Sequence, residues 1–249
     1  MNEDSVRGIL KRLSSGDIDI EEALSELRYA PFMDLDTVKY DGHRGLRTGI
    51  PEAVYAPGKT LEDIVRLVES TDAEPLFVTR ASREVFEAVR RVADASYHER
   101  ARLIVIGAVR EPRRDGIVAV ASAGTSDVPV AEEAAVVAAS LGHEVESVYD
   151  VGAAGLHRLL AYRETLAAAS VIIVTAGMDG VLPALVSSLF AAPVVALPTS
   201  VGYGTGRDGY AAMLTMLNSC SPGIAVVNID NGYGAGVFAH KMLMGCCQE

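Results

Sequence analysis

The sequence predicts an α/β fold: a three-layer αβα doubly wound parallel sheet preceded by a smaller N-terminal region. Three observations predict it. From Leu61 onward, short apolar runs alternate with helical segments, the pattern of parallel strands joined by crossover helices. The chain is 49% hydrophobic but only 6% aromatic and has no Trp, so its core is built from Ala, Val, Leu and Ile, which suits strands buried on both faces. Gly-rich turns follow several of the apolar runs, and ligands of such sheets bind beyond the carboxyl ends of the strands.

The elements follow in order. Val6, Ile9, Leu10 and Leu13 share one helical face, and Ile20, Ala23, Leu24 and Leu27 share another. Asp19 and Glu22 have the spacing of a capping box. Residues 34–60 have no sustained period but are dense in charge, Gly and Pro, which marks a functional or disordered segment. Helices are predicted over Leu61–Ser70 and Ser82–Ala93, with a strand at Leu76–Thr79 between them. Further strands are expected at 103–107, 117–123, 144–149, 170–175, 193–198 and 223–228. Helices are expected near 128–141, 153–167, 181–190, 207–219 and 234–245. The polar stretch Ala95–Arg102 suggests the boundary, with an N-terminal region over 1–98 and a catalytic domain over 99–249.

Bulk properties exclude several classes. A formal net charge of -11 repels phosphate backbones, so nucleic acid is not an expected partner. No apolar run approaches the ~20 residues of a membrane span, so no membrane association is expected. Three cysteines without regular spacing argue against a disulfide framework. With the acidic start Met1-Asn2-Glu3-Asp4, the expectation is a cytoplasmic protein.

Four segments could carry chemistry. In 121–135 a strand runs through Gly124, Thr125, Ser126 and Asp127 into a helix, whose N–H groups could hold an anion; Ser126 or Asp127 could equally be a plain N-cap. In 175–204 a strand runs into Gly177, Met178, Asp179 and Gly180. Asp179 could bind Mg²⁺, position a water or only cap. The loop Pro198–Gly204 is expected at the same edge. In 218–236, Cys220 lies at a helix-to-strand turn before Pro222-Gly223, and a Gly-rich loop holds Asn231. A lone Cys is as a rule a small buried hydrophobe; Cys246 and Cys247 lie in the C-terminal tail. In 41–60, Arg44 and Arg47 are three apart and would present one cationic face on a helical turn, with Lys59 further on. The alternative there is a surface loop with ordinary ion pairs.

Taken together, these residues carry a resemblance. The C-terminal half resembles the AIR carboxylase family, through Gly124-Thr125-Ser126-Asp127, Ala176-Gly177-Met178-Asp179-Gly180 with Leu182-Pro183, and the Gly-rich Asn231 loop. The segment D-x-H-R-x-x-R-x-G-x-P-E…G-K-T at 41–60 lies outside that family, and the combination is similar to the LarB-type family. The resemblance covers nearly the whole chain. It implies carboxylation of C5 of the pyridinium of nicotinic acid adenine dinucleotide and hydrolysis of its phosphoanhydride to release AMP, in nickel-pincer cofactor biosynthesis. It implies Cys220 as nucleophile and an acidic group at Asp179, where the family more often has Glu. Mg²⁺ is expected on the pyrophosphate, CO₂ or bicarbonate as co-substrate, and an octameric assembly by analogy with the purine enzymes.

The chemistry gives a Cys a purpose. C5 of an electron-poor pyridinium cannot attack CO₂. Thiolate addition at C4 makes C5 nucleophilic, and later loss of the C5 proton and the thiolate restores the ring. Asp127 and His157 are the base candidates. Two readings compete: an aminoimidazole ribonucleotide carboxylase or mutase, which needs no thiol, and a non-catalytic nucleotide-binding module.

Overall fold

The opening helices form where the apolar periods put them. α1 (Glu3–Ser15) and α2 (Ile20–Tyr29) bury Ile9, Ile18 and Ala23, with Leu13 and Leu27 packed against them. The Glu22 N–H donates to Asp19 Oδ1 at 2.8 Å and the Asp19 N–H to Glu22 Oε2 at 3.1 Å, which closes the capping box. Leu10, Ile20 and Leu24, expected on the same faces, are exposed. The computed structural model describes residues 3–29, 33–35, 38–41, 44–50, 52–71, 73–111 and 116–246.

The chain divides into two units, Met1–Ala108 and Val109–Glu249. In the first, β1 (Met33–Leu35) and β2 (Val38–Tyr40) form an antiparallel pair, followed by α3 (Arg44–Thr48). A second sheet contains β3 (Val54–Tyr55), β4 (Leu76–Thr79), β5 (Ala95–His98) and β6 (Leu103–Ile106) in the order β3-β4-β6-β5. β3 and β4 are parallel and the other pairs antiparallel. α4 (Leu61–Ser70) and α5 (Arg83–Val89) cover it, with Ile64, Leu67, Val68, Val85 and Val89 packed on Leu76, Val78, Ile104 and Ile106.

Two expectations are corrected here. The stretch 95–102 is not a divider: it holds β5 and the turn into β6, with the Arg102 N–H donating to the Glu99 carbonyl at 3.2 Å. The apolar run 103–107 does not open the main sheet but pairs antiparallel inside the first unit, so the division falls after Ala108 rather than at 98/99. A four-residue apolar strand reads the same in either kind of sheet, so periodicity could not separate them.

The second unit is the predicted doubly wound sheet. Its strands are β7 (Ile117–Ser122), β8 (Glu144–Val148), β9 (Val171–Ala176), β10 (Val194–Pro198) and β11 (Ile224–Val226), all parallel, in the order β11-β10-β9-β7-β8. α6 (Val128–Ser140) and α11 (Gly232–Cys246) cover one face, over Val118, Val120, Val171, Ile173, Val195 and Leu197. The alternate residues Ala119, Ala121, Ile172, Val174 and Ala196 face the other layer, formed by α7 (Leu156–Ala161), α8 (Arg163–Ala168), α9 (Leu182–Leu189) and α10 (Tyr210–Leu217). The helix expected over 153–167 is broken at Tyr162 into α7 and α8. From β7 the chain moves outward to β8 and returns on the other side to β9, so the topological switch point lies between β7 and β9. No helix among the described residues is long and apolar enough to cross a membrane.

α6 and α11 approach closely because Gly236 has no side chain. A Cβ there would stand 2.7 Å from the Ala134 carbonyl and 2.9 Å from Val137 Cβ. Gly236→Ala should therefore lower stability by about 1–3 kcal/mol through overpacking, measured by urea denaturation. An unchanged midpoint would show that the two helices can separate at no cost.

Candidate active site

The switch point is where several of the candidate side chains gather. β7 ends at Ser122, and Ala123-Gly124 lead into a 3₁₀ turn, Thr125–Asp127, that continues as α6. The Asp127 side chain folds back so that Oδ2 accepts the Gly124 N–H at 2.9 Å. Its Oδ1 accepts the Thr199 hydroxyl at 2.6 Å, from the residue that follows β10. The Gly177 N–H, just after β9, faces this carboxyl and favours its ionised form. Asp127 is 4% exposed and Thr199 0%, so the three loops meet around one buried carboxyl group.

Gly177 has to be a glycine. A Cβ on it would lie 2.5 Å from Thr199 Oγ1 and would collide with the Val201 carbonyl. Asp230, with φ +55, anchors the next loop: its N–H donates to the Pro198 carbonyl at 2.8 Å and its Oδ1 accepts the Ser200 N–H at 2.8 Å. Burial pushes the Asp127 carboxyl above the ordinary carboxylate range. The hydrogen bonds from Thr199 and Gly124 and the Gly177 N–H pull it down, while the negative charge of Asp230 adds to the rise.

The remaining residues divide into those the strand ends bring together and those they do not. Thr125 and Ser126 are exposed at the start of α6, and Ser126 makes no capping bond; Asp127 does the capping. Met178 is half-exposed beside Gly177. Gly180, with φ +66, has no room for a Cβ against the backbone of Ala212. Asp179 is exposed and its Oδ1 accepts the Val181 N–H at 3.2 Å, an Asx turn that precedes α9 and leaves its N-cap position to Val181. Asn231 caps α11, through the Gly234 N–H at 2.9 Å. His157 is exposed on α7. Next to it, Arg158 Nη1 is 2.5 Å from Asp150 Oδ2, in the loop after β8.

Cys220 is exposed and stands apart from this cluster. It lies in the turn that leads into β11, at the amino edge of the sheet, whereas Asp127 and its partners lie at the carboxyl edge. That turn is tied to α9: Ser187 Oγ donates to the Pro222 carbonyl at 2.5 Å and Ser221 Oγ to the Ala184 carbonyl at 3.0 Å. Cys247 and the Cys246 side chain lie outside the described residues.

In the first unit, Arg44 is exposed on α3, with Nη1 3.8 Å from Glu52 Oε1, while Glu52 Oε2 accepts the Asp41 N–H at 2.6 Å. Arg47 is on the same helical turn, as expected, but its side chain lies outside the described residues, as does His43. Lys59 is exposed in a turn closed by its own N–H on the Ala56 carbonyl at 3.1 Å. Thr60 then caps α4 with Asp63 as the reciprocal partner.

Among the described residues there is no group of three or more His, Cys, Asp or Glu placed to hold a metal ion. Asp179 also already accepts a backbone N–H. Each strand-end loop does carry one carboxylate: Asp127 after β7, Asp150 after β8, Asp179 after β9, Asp208 after β10 and Asp230 after β11. Arg158 and Arg207 sit against Asp150 and Asp208. The edge is thus predominantly negative, which attracts a cationic group.

Thr199 and Asp230 are the site residues that sequence reasoning missed. Thr199 is 72 positions from its partner Asp127, and nothing local distinguishes it within Pro198-Thr199-Ser200. The one readable signal for Asp230 was the Gly-rich loop that contains it. The Asp127 shift has a measurable consequence. Its folded-state value lies above the unfolded one, so its contribution to stability is complete below the ordinary carboxylate range and is lost as pH rises through the raised value. Urea midpoints of the wild type should fall relative to Asp127→Asn as pH rises across that window. A gap that does not change with pH would show that folding leaves the Asp127 carboxyl unperturbed.

Comparison with known proteins agrees with this geometry. Residues 32–108 match the LarB/PurE-like N-terminal domain and residues 117–247 match AIR carboxylase. The chain is 39% identical over 249 aligned positions to the uncharacterized protein MJ0165 of Methanocaldococcus jannaschii, covering 94% of this chain and 95% of that one. It is 33% identical over 123 positions to N5-carboxyaminoimidazole ribonucleotide mutase of the same organism, covering 47% of this chain and 73% of the mutase. With the switch-point cluster inside the segment that matches, the chain belongs to the AIR carboxylase family and is a carboxylase-type protein of its LarB/PurE branch.

Proposed function

We propose that this chain carboxylates C5 of the pyridinium ring of nicotinic acid adenine dinucleotide through a cysteinyl adduct and hydrolyses the phosphoanhydride to release AMP. The observation that carries the proposal is a free, exposed Cys220 in an AIR carboxylase fold that follows a LarB/PurE-like domain. A carboxylase acting on an already nucleophilic ring has no use for that thiol. The acidic strand-end edge supports the same reading, because a pyridinium is a cation and its counterpart in the purine reaction is not.

The steps balance as follows. The Cys220 thiolate adds to C4, and the ring electrons that quenched the nitrogen charge make C5 nucleophilic. C5 attacks CO₂ and forms the new C–C bond. A base removes the C5 proton, the C4–S bond breaks, and the thiolate leaves as the ring regains its aromaticity. We assign the base to Asp127. A carboxylate has about four lone-pair sites; Gly124 and Thr199 supply two donors, which leaves room for the proton. Desolvation makes the ionised carboxylate a stronger base than one in water. His157 is the alternative base. Arg44, Arg47 and Lys59 are the groups we assign to the dinucleotide's anionic parts.

Cys220 and Asp127 lie at opposite edges of one sheet, so one ring is not expected to meet both in the same chain. We therefore assign the reacting pair to two copies. Tyr210, Leu214 and Leu217 form an exposed apolar stripe on α10 that ends three residues before Cys220, a surface suited to burial against a second copy. A homo-oligomer, octameric by analogy with the purine enzymes, would supply it.

Incubation with nicotinic acid adenine dinucleotide and bicarbonate should give AMP and a carboxylated mononucleotide, identified by mass spectrometry. Cys220→Ala should abolish carboxylation, and full activity in that variant would remove the covalent mechanism. Co-assembly of Cys220→Ala with Asp127→Asn should restore part of the activity that each lacks alone. Failure to complement, with both variants folded, would return the site to a single chain. Turnover of aminoimidazole ribonucleotide instead would favour the purine-type reading.

A further inference from the structure

The geometry points to Thr199 as the positioning residue of the Asp127 carboxylate, the side chain that orients it and holds its ionised form. This rests on the reading of Asp127 as the base. The Thr199 side chain is fully buried, and its hydroxyl lies 2.6 Å from Asp127 Oδ1. A threonine hydroxyl has a single proton; placed on Oδ1, that proton stabilises the carboxylate and leaves the neutral acid without comparable support. The backbone is arranged around this bond. The Thr199 N–H donates to the Ala176 carbonyl at 3.1 Å, and Gly177 lacks the Cβ that would come within 2.5 Å of Thr199 Oγ1. The Gly124 N–H on Oδ2 and the Thr199 hydroxyl on Oδ1 together fix the plane of the carboxyl group.

Three influences act on Asp127, namely burial, the charge of Asp230 and hydrogen bonding, and Thr199 is the one hydrogen-bond donor that a side-chain change can remove. Burial and the charge of Asp230, in the loop after β11, favour the neutral acid. The Thr199, Gly124 and Gly177 donors favour the anion. The two glycine donors are backbone groups, so the Thr199 hydroxyl is the adjustable member. Without it, the neutral form should persist to higher pH and less of the base should be available near neutrality.

The test follows the Asp127 proton directly in the full-length protein. Infrared titration reads the carbonyl stretch of a protonated carboxyl, assigned to Asp127 by its loss in Asp127→Asn. In Thr199→Val, which keeps the shape and removes the donor, the band should persist to a pH higher by about 1–2 units, the worth of one hydrogen bond to a charged group. Thr199→Ser should titrate as the wild type does. The acid limb of kcat/KM on nicotinic acid adenine dinucleotide should move by the same amount in Thr199→Val and return in Thr199→Ser. Should Thr199→Val fail to fold, Thr199→Ala takes its place in the same comparison. A titration in the donor-less variant that matches the wild type would overturn the assignment, even with the dinucleotide turned over normally. A shifted titration in a protein that does not turn over the dinucleotide would leave Thr199 in its role and reject the proposed reaction.

Discussion

One buried carboxyl group organises the strand-end edge of the second unit. Asp127 accepts hydrogen bonds from Gly124 and Thr199 and is faced by the Gly177 N–H, groups that follow three different strands. Without its partners, a buried carboxylate would be costly; with them, it becomes the point where β7, β9 and β10 are tied into one surface. Thr125, Ser126 and Met178 are exposed around that point because the backbone beneath them is held inward. The same desolvation that makes the group expensive makes it a stronger base, so the architectural and chemical properties of Asp127 share one origin.

The sheet topology separates what the proposed chemistry needs to combine. A parallel sheet puts every strand-to-helix loop at one edge and every helix-to-strand turn at the other. Asp127, Asp179 and Asp230 follow strands, whereas Cys220 precedes one. Local adjustment cannot bring these groups together, because β9 and β10 are buried along their whole length and lie between the two edges. The apolar stripe on α10 is the counterpart of this separation. α10 is apolar on nearly every side and leaves Tyr210, Leu214 and Leu217 in solvent, which is the surface the second copy of the proposed mechanism would cover.

The charge pattern limits what the strand ends can hold. One carboxylate follows each of the five strands, and two of these are matched by arginines, Asp150 by Arg158 of α7 and Asp208 by Arg207 in its own loop. Such an edge disfavours a bare pyrophosphate and suits a cationic ring. Three of the five carboxylates also accept a backbone N–H: Asp127 from Gly124, Asp179 from Val181 and Asp230 from Ser200. The cationic side chains Arg44 and Lys59 reside in the first unit, on a short helix and a tight turn.

The sequence by itself determined the local architecture. Alternating apolar runs located every strand of the parallel sheet, and Asp19-Glu22 announced its capping box, because these depend on neighbours within a few residues. The family was legible for a similar reason: Gly124 to Asp127 and Gly177 to Gly180 are contiguous motifs with steric and capping demands of their own. Only the tertiary structure decided which sheet received Leu103–Ile106, since a run buried on all sides carries no mark of its partner's direction. Only the tertiary structure joined Thr199 to Asp127 across 72 residues and set Cys220 at the opposite edge from both. Pairings of that kind come from strand order, and strand order is a property of the packed sheet that no local window of residues encodes.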